Sequence, residues 1–241
     1  MKSLALAAVL SLTAAAQTPP PILRLIRNPN ALSPKVYANA GARIEVLGMN
    51  TVTGTNEFWT MEQHPNFASI ETVDKALSGS ALSNLDNRGA SQDEILGPGR
   101  VLIAVYRDGW GYHSEDAIRM LPRTRYFNVT IYRVRPDADS DMHNLLMAHH
   151  SELDSMNLSQ PDLVYHVISG GSSGLYLVLS PLASLRAMDE RVNKMPLEVE
   201  AKSPAVSEFA RETLMFRIDP QMSYVSEEFA AGDPSFWRGQ E

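Results

Sequence analysis

The chain has 241 residues, of which 44% are hydrophobic and 20% are charged, with no cysteine and a formal net charge of −7. This composition is that of a globular protein with enough apolar residues for a sizeable core. The lack of cysteine excludes disulfides, iron–sulfur clusters and thiolate metal sites. The negative charge argues against a broad nucleic-acid-binding surface.

The first residues have the pattern of a secretory signal peptide. Lys2 forms a short basic segment, Leu4 to Leu12 is apolar, and Ala14 to Ala16 offers a cleavage site before Gln17. We therefore assign 1–16 to a signal peptide and expect export to the periplasm or the extracellular space after cleavage near Ala16. No apolar run in the sequence is long enough for a transmembrane helix, so no membrane span is predicted.

Hydrophobic periodicity predicts the elements of the first half. They are strands at Ile22–Arg27, Arg43–Met49 and Glu57–Met61, a helix at Ser69–Leu77 and a strand at Val101–Arg107. Too few residues separate the first two strands for a full helix. We therefore expect the helix between them to be short or lost.

The second half shows the same order of elements. Strands are predicted at Tyr126–Arg135, Leu163–Ile168, Leu175–Leu179 and Leu214–Ile218, and helices at Asp137–Met156, Ser184–Val192 and within Glu198–Arg211, with an irregular tail after Tyr224. Phe67–Asp74 also matches Leu182–Asp189 in sequence. These agreements indicate an internal duplication, with one repeat at 17–123 and the other at 124–241.

Each half has the β-α-β-β-α-β order of a ferredoxin-like unit. Such a sheet carries helices on one face only, so its strands should alternate between apolar and polar residues. Leu163–Ile168 and Leu175–Leu179 are instead almost continuously apolar, which indicates that both faces are covered. The simplest cover for the open face is the sheet of the other half. We therefore predict an α+β fold of two tandem ferredoxin-like repeats packed sheet to sheet.

A family resemblance rests on four segments, which are Asn56–Trp59, Asn66–Glu71, Tyr126–Pro136 and Gly174–Val178. They are similar to segments of exported bacterial proteins of unknown function. Together with the tandem arrangement they resemble the dimeric α/β-barrel superfamily and, more distantly, NIPSNAP-type domains. The resemblance implies an intramolecular dimeric α/β-barrel. That superfamily includes cofactor-free monooxygenases, haem-handling proteins, isomerases and ligand-binding regulators, and it carries no catalytic motif over to this sequence.

Glu45 and His166 are the candidate catalytic residues. Each is a titratable residue among apolar neighbours on the second strand of its half. If the two sheets face each other, both side chains could reach a shared interior and form a general acid–base pair. The alternative is that one or both lie at a strand end, in water or beneath a loop.

Five further residues are candidates for ligand binding. Trp59, Tyr132, Tyr165 and Tyr176 combine an aromatic ring with a polar atom, which suits a pocket for a small organic ligand and equally a plain core. Arg133 ends a predicted strand, where it would hold a carboxylate or phosphate or simply contact solvent.

Two histidines complete the candidate list. His64 follows a predicted strand, in a position where loops often carry function. His149 lies on the apolar stripe of the helix at 137–156, and we interpret it as a core histidine bonded to a carbonyl rather than a ligand. His149 and His150 point about 100° apart on a helix and cannot easily share one ion. We predict no metal site and no cofactor.

The sequence therefore predicts an exported protein that binds a small organic molecule in a pocket of the fused barrel. One alternative is a cofactor-independent enzyme of monooxygenase or isomerase type that uses His166 and Glu45. Another is a structural scaffold without a ligand. A homodimer stays open, because loss of the first helix would expose a surface to a second chain.

Overall fold

The computed structural model describes residues 18–28, 34–39, 41–77, 100–194 and 210–239. The strands in these segments are β1 (Ile22–Asn28), β2 (Glu45–Thr51), β3 (Phe58–His64), β4 (Val101–Tyr106), β5 (Tyr126–Arg133), β6 (Leu163–Ser169), β7 (Leu175–Leu182) and β8 (Ala210–Tyr224). The helices are α1 (Pro34–Asn39), α2 (Phe67–Leu77), α3 (Ser114–Met120), α4 (Asp139–Ser155), α5 (Arg186–Lys194), α6 (Glu227–Ala230) and α7 (Pro234–Trp237), with a 3-10 turn at Leu121–Arg123.

The strands close into one antiparallel barrel in the order β1-β3-β2-β8-β5-β7-β6-β4. The ring consists of two arcs, β4-β1-β3-β2 and β8-β5-β7-β6. In both arcs the first strand of the half lies between its fourth and third strands, which is the ferredoxin-like order. The predicted mixture of helices with a barrel of antiparallel strands is therefore confirmed.

The two halves meet edge to edge, and this differs from the predicted stacking of two separate sheets. β2 pairs with β8, and β4 pairs with β6. Two separate open sheets would leave four strand edges unpaired, whereas barrel closure pairs every edge strand in the described part of the chain. Closure therefore satisfies backbone groups that stacking would leave exposed.

The almost continuous apolarity of β6 and β7 has the predicted cause, which is cover on both faces. Tyr165 and Leu177 point into the barrel interior and belong to its core. Val164 and Val178 point outward and pack with Met142 of α4. The interior of the barrel provides the second cover that the sequence had assigned to a facing sheet.

Side chains fill the barrel interior. Trp59 and Phe216 pack with their ring centres 4.7 Å apart, and Phe127 is buried in the same core. An eight-stranded barrel has an interior just wide enough for such side chains. The interior is therefore a hydrophobic core, and the outer wall is the place to look for a site.

The first helix of the first half is short, as the sequence predicted. α1 has six residues, and its Tyr37 is buried against the barrel. The tail after Tyr224 is not irregular, because it forms α6 and α7. Ser226 caps α6 by accepting a hydrogen bond from Phe229 N, and Asp233 caps α7 in the same way. The prediction missed these caps because each helix has only one turn.

Two predictions fall wholly or largely on other parts of the chain. The signal peptide at 1–16 lies outside the described residues, and so does most of the range 198–211, within which a helix is predicted. The last two residues of that range, Ala210 and Arg211, pair with Arg133 and Tyr132 as the start of β8. The boundary between repeats at residue 123 stays a prediction. Among the helices of the described segments, none combines the length and apolarity of a membrane span.

Candidate functional site

Strand pairing in the second half brings four polar and aromatic residues into one row on the outer wall. His166 on β6 lies opposite Tyr176 on β7, and Tyr176 lies opposite Tyr132 on β5. Tyr132 in turn lies opposite Arg211 on β8. Side chains alternate along a strand, so Tyr165 next to His166 points into the barrel while His166 points out. We call His166, Tyr176, Tyr132 and Arg211 the aromatic row.

Two further rings pack on this row. Trp110, from the loop after β4, lies 5.5 Å from Tyr176 with the rings inclined by 14°. His166 lies 4.5 Å from Tyr176 with an angle of 13°, and His143 of α4 lies 5.0 Å from Trp110. Tyr176 is fully buried, whereas Trp110, His143 and His166 are half-buried. The cluster therefore presents ring edges to solvent above a fixed base.

Charged groups surround these rings. The guanidinium carbon of Arg107 lies 4.4 Å from the centre of the Trp110 ring, in cation–π contact. The Tyr176 hydroxyl donates a hydrogen bond of 2.5 Å to Asp139 Oδ1 in the first turn of α4. The guanidinium of Arg211 lies 6.0 Å from the Tyr132 ring. Two cations therefore flank the aromatic surface.

Burial controls the protonation of the two central groups. Burial lowers the pKa of His166, and Asp139 opposes that shift only in part, so the imidazole is neutral at pH 7. Burial and the hydrogen bond to Asp139 both raise the pKa of Tyr176, so its hydroxyl keeps its proton. A neutral imidazole therefore lies beside a protonated phenol.

A second polar cluster is buried on the outer wall of the first half. Glu62 of β3 is fully buried and accepts hydrogen bonds from Arg24 Nε at 2.5 Å and from the Tyr37 hydroxyl at 2.7 Å. His64 Nε2 lies 2.9 Å from the same carboxylate, and Arg24 also pairs with Asp74 of α2. We call Arg24, Tyr37, Glu62 and His64 the buried ion cluster.

These partners keep Glu62 ionised. Burial by itself would raise the pKa of Glu62, but hydrogen bonds from His64, Arg24 and Tyr37 outweigh it and lower the pKa below the ordinary value. Burial would likewise lower the pKa of Arg24, but Glu62 and Asp74 outweigh it and raise that pKa. The cluster is a buried ion pair with its hydrogen bonds satisfied at the carboxylate.

The structure does not bring Glu45 and His166 together. β2 and β6 lie on opposite sides of the barrel, separated by β8, β5 and β7 in one direction and by β3, β1 and β4 in the other. The Glu45 carboxylate accepts hydrogen bonds from Ser226 N at 2.8 Å and Ser226 Oγ at 2.5 Å. Glu45 thus lies at a strand end and holds the start of α6, which was the alternative left open by the sequence.

Some of the other candidate site residues lie in the barrel core, and the rest lie on the outer wall of the barrel or at a strand end. Trp59 and Tyr165 lie in the barrel core, where Trp59 Nε1 donates to Glu57 and the Tyr165 hydroxyl donates to Pro20 O. Tyr132 and Tyr176 belong to the aromatic row, and Arg133 follows Tyr132 at the end of β5. His64 belongs to the buried ion cluster.

In α4 the buried histidine is His150, not His149. His150 is 9% exposed and its ring centre lies 5.2 Å from that of Tyr112, whereas His149 is half-buried and lies 3.7 Å from Glu152. Tyr112 comes from the loop before α3, and helical periodicity cannot reveal that contact. Burial lowers the pKa of His150.

Sequence reasoning missed several residues of both clusters. Arg107 and Trp110 lie in a loop, and only the fold places them over β7. Asp139 and His143 are one helical turn apart, a spacing that is common by chance. As charged residues within strands, Arg24 and Glu62 would be expected to face solvent. A better signal is that Arg24 interrupts the apolar run of β1 between Ile22 and Ile26, where an opposite charge can pair with it.

Comparisons with known proteins agree in fold alone. By sequence, no protein-family model and no curated protein matches the chain. A monooxygenase-like protein from Fusobacterium nucleatum subsp. nucleatum is similar with a TM-score of 0.51 and 7% identity, over 84% of this chain and 94% of that one. A variant of chlorite dismutase from Candidatus Nitrospira defluvii has a TM-score of 0.50 and 13% identity, over 88% and 97%. The fold is that of the dimeric α/β-barrel proteins, as the resemblance predicted.

Proposed function

We propose that the protein binds a small planar organic anion against the aromatic row. The observation that carries this proposal is the stack of Trp110, Tyr176 and His166, with the guanidinium of Arg107 on Trp110 and that of Arg211 near the neighbouring Tyr132. The edge of an aromatic ring is its positive side and so suits an anionic ligand, and a guanidinium matches the geometry of a carboxylate. In a chain with a net charge of −7, two cations beside half-buried rings favour an anionic partner at this place.

The wall beneath the ligand is preorganised. Tyr176 is fully buried and its hydroxyl is held by Asp139, so the base of the site does not need to rearrange. The neutral imidazole of His166 supplies one donor and one acceptor at the edge of the stack. We assign Trp110 and His166 to ring contact, Arg107 to the carboxylate, and Tyr176 to support.

Turnover of the ligand is the second candidate function, and the neutral His166 favours it. A general base must be unprotonated at the working pH, and burial provides this at His166. Glu45 has no place in this version because it lies across the barrel. A cofactor-independent enzyme would therefore use His166 with Asp139 and Tyr176 as neighbours.

Export and duplication complete the proposal. The signal-like segment at 1–16 supports transport out of the cytoplasm with cleavage near Ala16. The equal strand order of the two arcs supports an origin of the barrel by doubling of one ferredoxin-like unit.

The test is a titration with benzoate, a planar carboxylate, followed by thermal unfolding and tryptophan fluorescence. Benzoate should raise the Tm, and Arg107→Gln should weaken binding about tenfold or more, because one charge-assisted hydrogen bond is lost. Trp110→Phe should remove the fluorescence response, since Trp59 and Trp237 lie elsewhere. The matched control is Arg186→Gln on the exposed face of α5, which should bind like the unchanged protein.

The same experiment separates the alternatives. Equal affinities of Arg107→Gln and Arg186→Gln would contradict the site. If benzoate and substituted benzoates never change the Tm, the scaffold interpretation gains instead. Recovery of unchanged ligand after long incubation favours binding alone. A product that forms with the unchanged protein and does not form with His166→Ala favours an enzyme.

A further inference from the structure

Ser69, His64 and Glu62 form a chain of side chains that runs from the interior of the wall to the surface. Ser69 Oγ lies 3.0 Å from His64 Nδ1, and His64 Nε2 lies 2.9 Å from Glu62 Oε2. Because Glu62 is ionised, it accepts the proton on Nε2. That leaves Nδ1 as the acceptor for the Ser69 hydroxyl. This order of acid, imidazole and hydroxyl is the one that activates a serine as a nucleophile.

The chain ends at a cavity. Ser69 is half-buried and lines a surface cavity of about 420 Å³, whereas His64 and Glu62 are fully buried behind it. Arg43 lines the same cavity and adds a positive charge. Asn66 Oδ1 accepts a hydrogen bond of 2.9 Å from Ser69 N and fixes the first turn of α2. Only the hydroxyl of the three groups is therefore open to a substrate.

The supporting contacts exceed what anchoring α2 to the barrel requires. Arg24 of β1 already pairs with Asp74 of α2, so this ion pair holds the helix to the barrel without the contact between Ser69 and His64. Arg24 and Tyr37 also hold the Glu62 carboxylate from two further directions. A carboxylate fixed in this way sets the tautomer and orientation of His64, which is the role of the acid in a serine triad.

We propose that Ser69 is the nucleophile of an ester-hydrolysing activity, with His64 as its general base. Ser69 Oγ attacks the carbonyl carbon of a small ester, and its proton passes to His64 Nδ1. The bond between that carbon and the alcohol oxygen breaks, and the alcohol leaves with the proton from His64. Water then adds to the acyl-serine and gives a proton to His64. The acid departs as Ser69 Oγ regains the proton.

Two other residues contribute to this reaction, but neither is the nucleophile or the base. Glu62 is a positioning residue, since it acts only through His64. Arg43 favours esters that carry a carboxylate or phosphate group, because it lines the same cavity as Ser69. This site lies on the other half of the barrel from the aromatic row and does not depend on the function proposed there.

The test uses p-nitrophenyl acetate as substrate and a fluorophosphonate as a covalent label. In the folded protein the label should attach to Ser69, as located by peptide mass spectrometry. Ser69→Ala should lose both the label and at least about 100-fold of the hydrolysis rate, the range for loss of an activated nucleophile and its base. The matched control is Ser151→Ala, an exposed helix serine of α4 that should keep both.

A second variant separates activation from support of the helix. Glu62→Gln should lower kcat with little change in KM, and it should move the rise of rate with pH to lower pH, because the imidazole loses its anionic neighbour. A merely structural hydrogen bond would leave the pH profile in place. Failure of the unchanged protein to label at Ser69, or full activity in Ser69→Ala, would overturn the proposal.

Discussion

The outer walls of the two halves differ although their strands follow the same order. The first half carries the row Val46, Glu62, Arg24 and Ile103 across β2, β3, β1 and β4, and the second half carries His166, Tyr176, Tyr132 and Arg211 across β6, β7, β5 and β8. The middle pair of one row is an ion pair, and the middle pair of the other is two tyrosines. One topology therefore supports two chemistries, which are set by single side chains on the outer face.

Two buried carboxylates sharpen this comparison. Glu62 in the first half and Asp162 in the second are 0% and 4% exposed. Charged partners lower the pKa of Glu62 against the effect of burial. Burial raises the pKa of Asp162 to about 7, opposed by a hydrogen bond from Tyr112 N and the charge of Arg191. The nearest donors, more than burial, decide which carboxylate is ionised.

The largest effect is expected from Glu62→Ala. The substitution removes the buried carboxylate that pairs with Arg24 and leaves the guanidinium buried. This should reduce the free energy of unfolding by about 3–5 kcal/mol. Urea unfolding followed by circular dichroism measures this change. Glu190→Ala on α5 removes an exposed partner of Lys194 and should cost less than about 0.5 kcal/mol. Equal losses in the two variants would show that the ion cluster does not contribute as a buried pair.

The pH dependence of stability should differ between the two carboxylates. The pKa of Asp162 is about 7 in the folded protein, against 3.8 as its ordinary value, so the folded state retains a proton between those pH values. The stability from this group is complete below about pH 4 and is lost as the pH rises to about 7, by up to ~4 kcal/mol. The pH dependence from Glu62 has the opposite sign, because the pKa of Glu62 is lowered in the folded protein. The stability from this group is complete at pH values above its ordinary pKa and is lost as the pH falls.

Asp162→Asn tests this sign directly. The amide oxygen can still accept from Tyr112 N, but it does not titrate. Urea unfolding at about pH 4 and about pH 8 should therefore show a smaller decrease with rising pH in the variant than in the unchanged protein. Parallel pH dependences in the two proteins would mean that Asp162 is ionised throughout.

The sequence could predict most elements because their signals are local. β1, β5 and α4 lie within a few residues of their expected bounds, since apolar runs and helical spacing depend on neighbouring residues alone. The closure of the barrel depends on pairs such as Val46 with Tyr224, which no local pattern contains. His64 and Tyr176 could be singled out from their own residue type and position in or next to a strand. Their contacts with Glu62 and Asp139 could not be predicted, because those contacts depend on the fold.

A smaller effect is expected from Tyr176→Phe. The ring and its stacking on Trp110 and His166 are kept, but the hydroxyl no longer donates to Asp139. Because Asp139 is exposed, the loss should be about 1 kcal/mol in urea unfolding, below the range for a fully buried charged partner. Tyr165→Phe, which removes a hydrogen bond to Pro20 O in the barrel core, is the matched variant. If Tyr176→Phe reduced the free energy of unfolding by more than Glu62→Ala does, the aromatic row would contribute more to stability than the buried ion cluster, against this prediction.

The smallest effect is expected from Glu45→Ala, at the joint between the halves. Glu45 on β2 holds Ser226, whose hydroxyl caps α6, so its removal loosens one exposed helix turn and should cost less than about 1 kcal/mol. Amide exchange at Phe229 should become faster, while exchange in β6 should not change, because Glu45 and His166 lie on opposite sides of the barrel. If Glu45→Ala weakened benzoate binding as much as His166→Ala, the two residues would be coupled through the barrel, and the separation of its two walls would no longer hold.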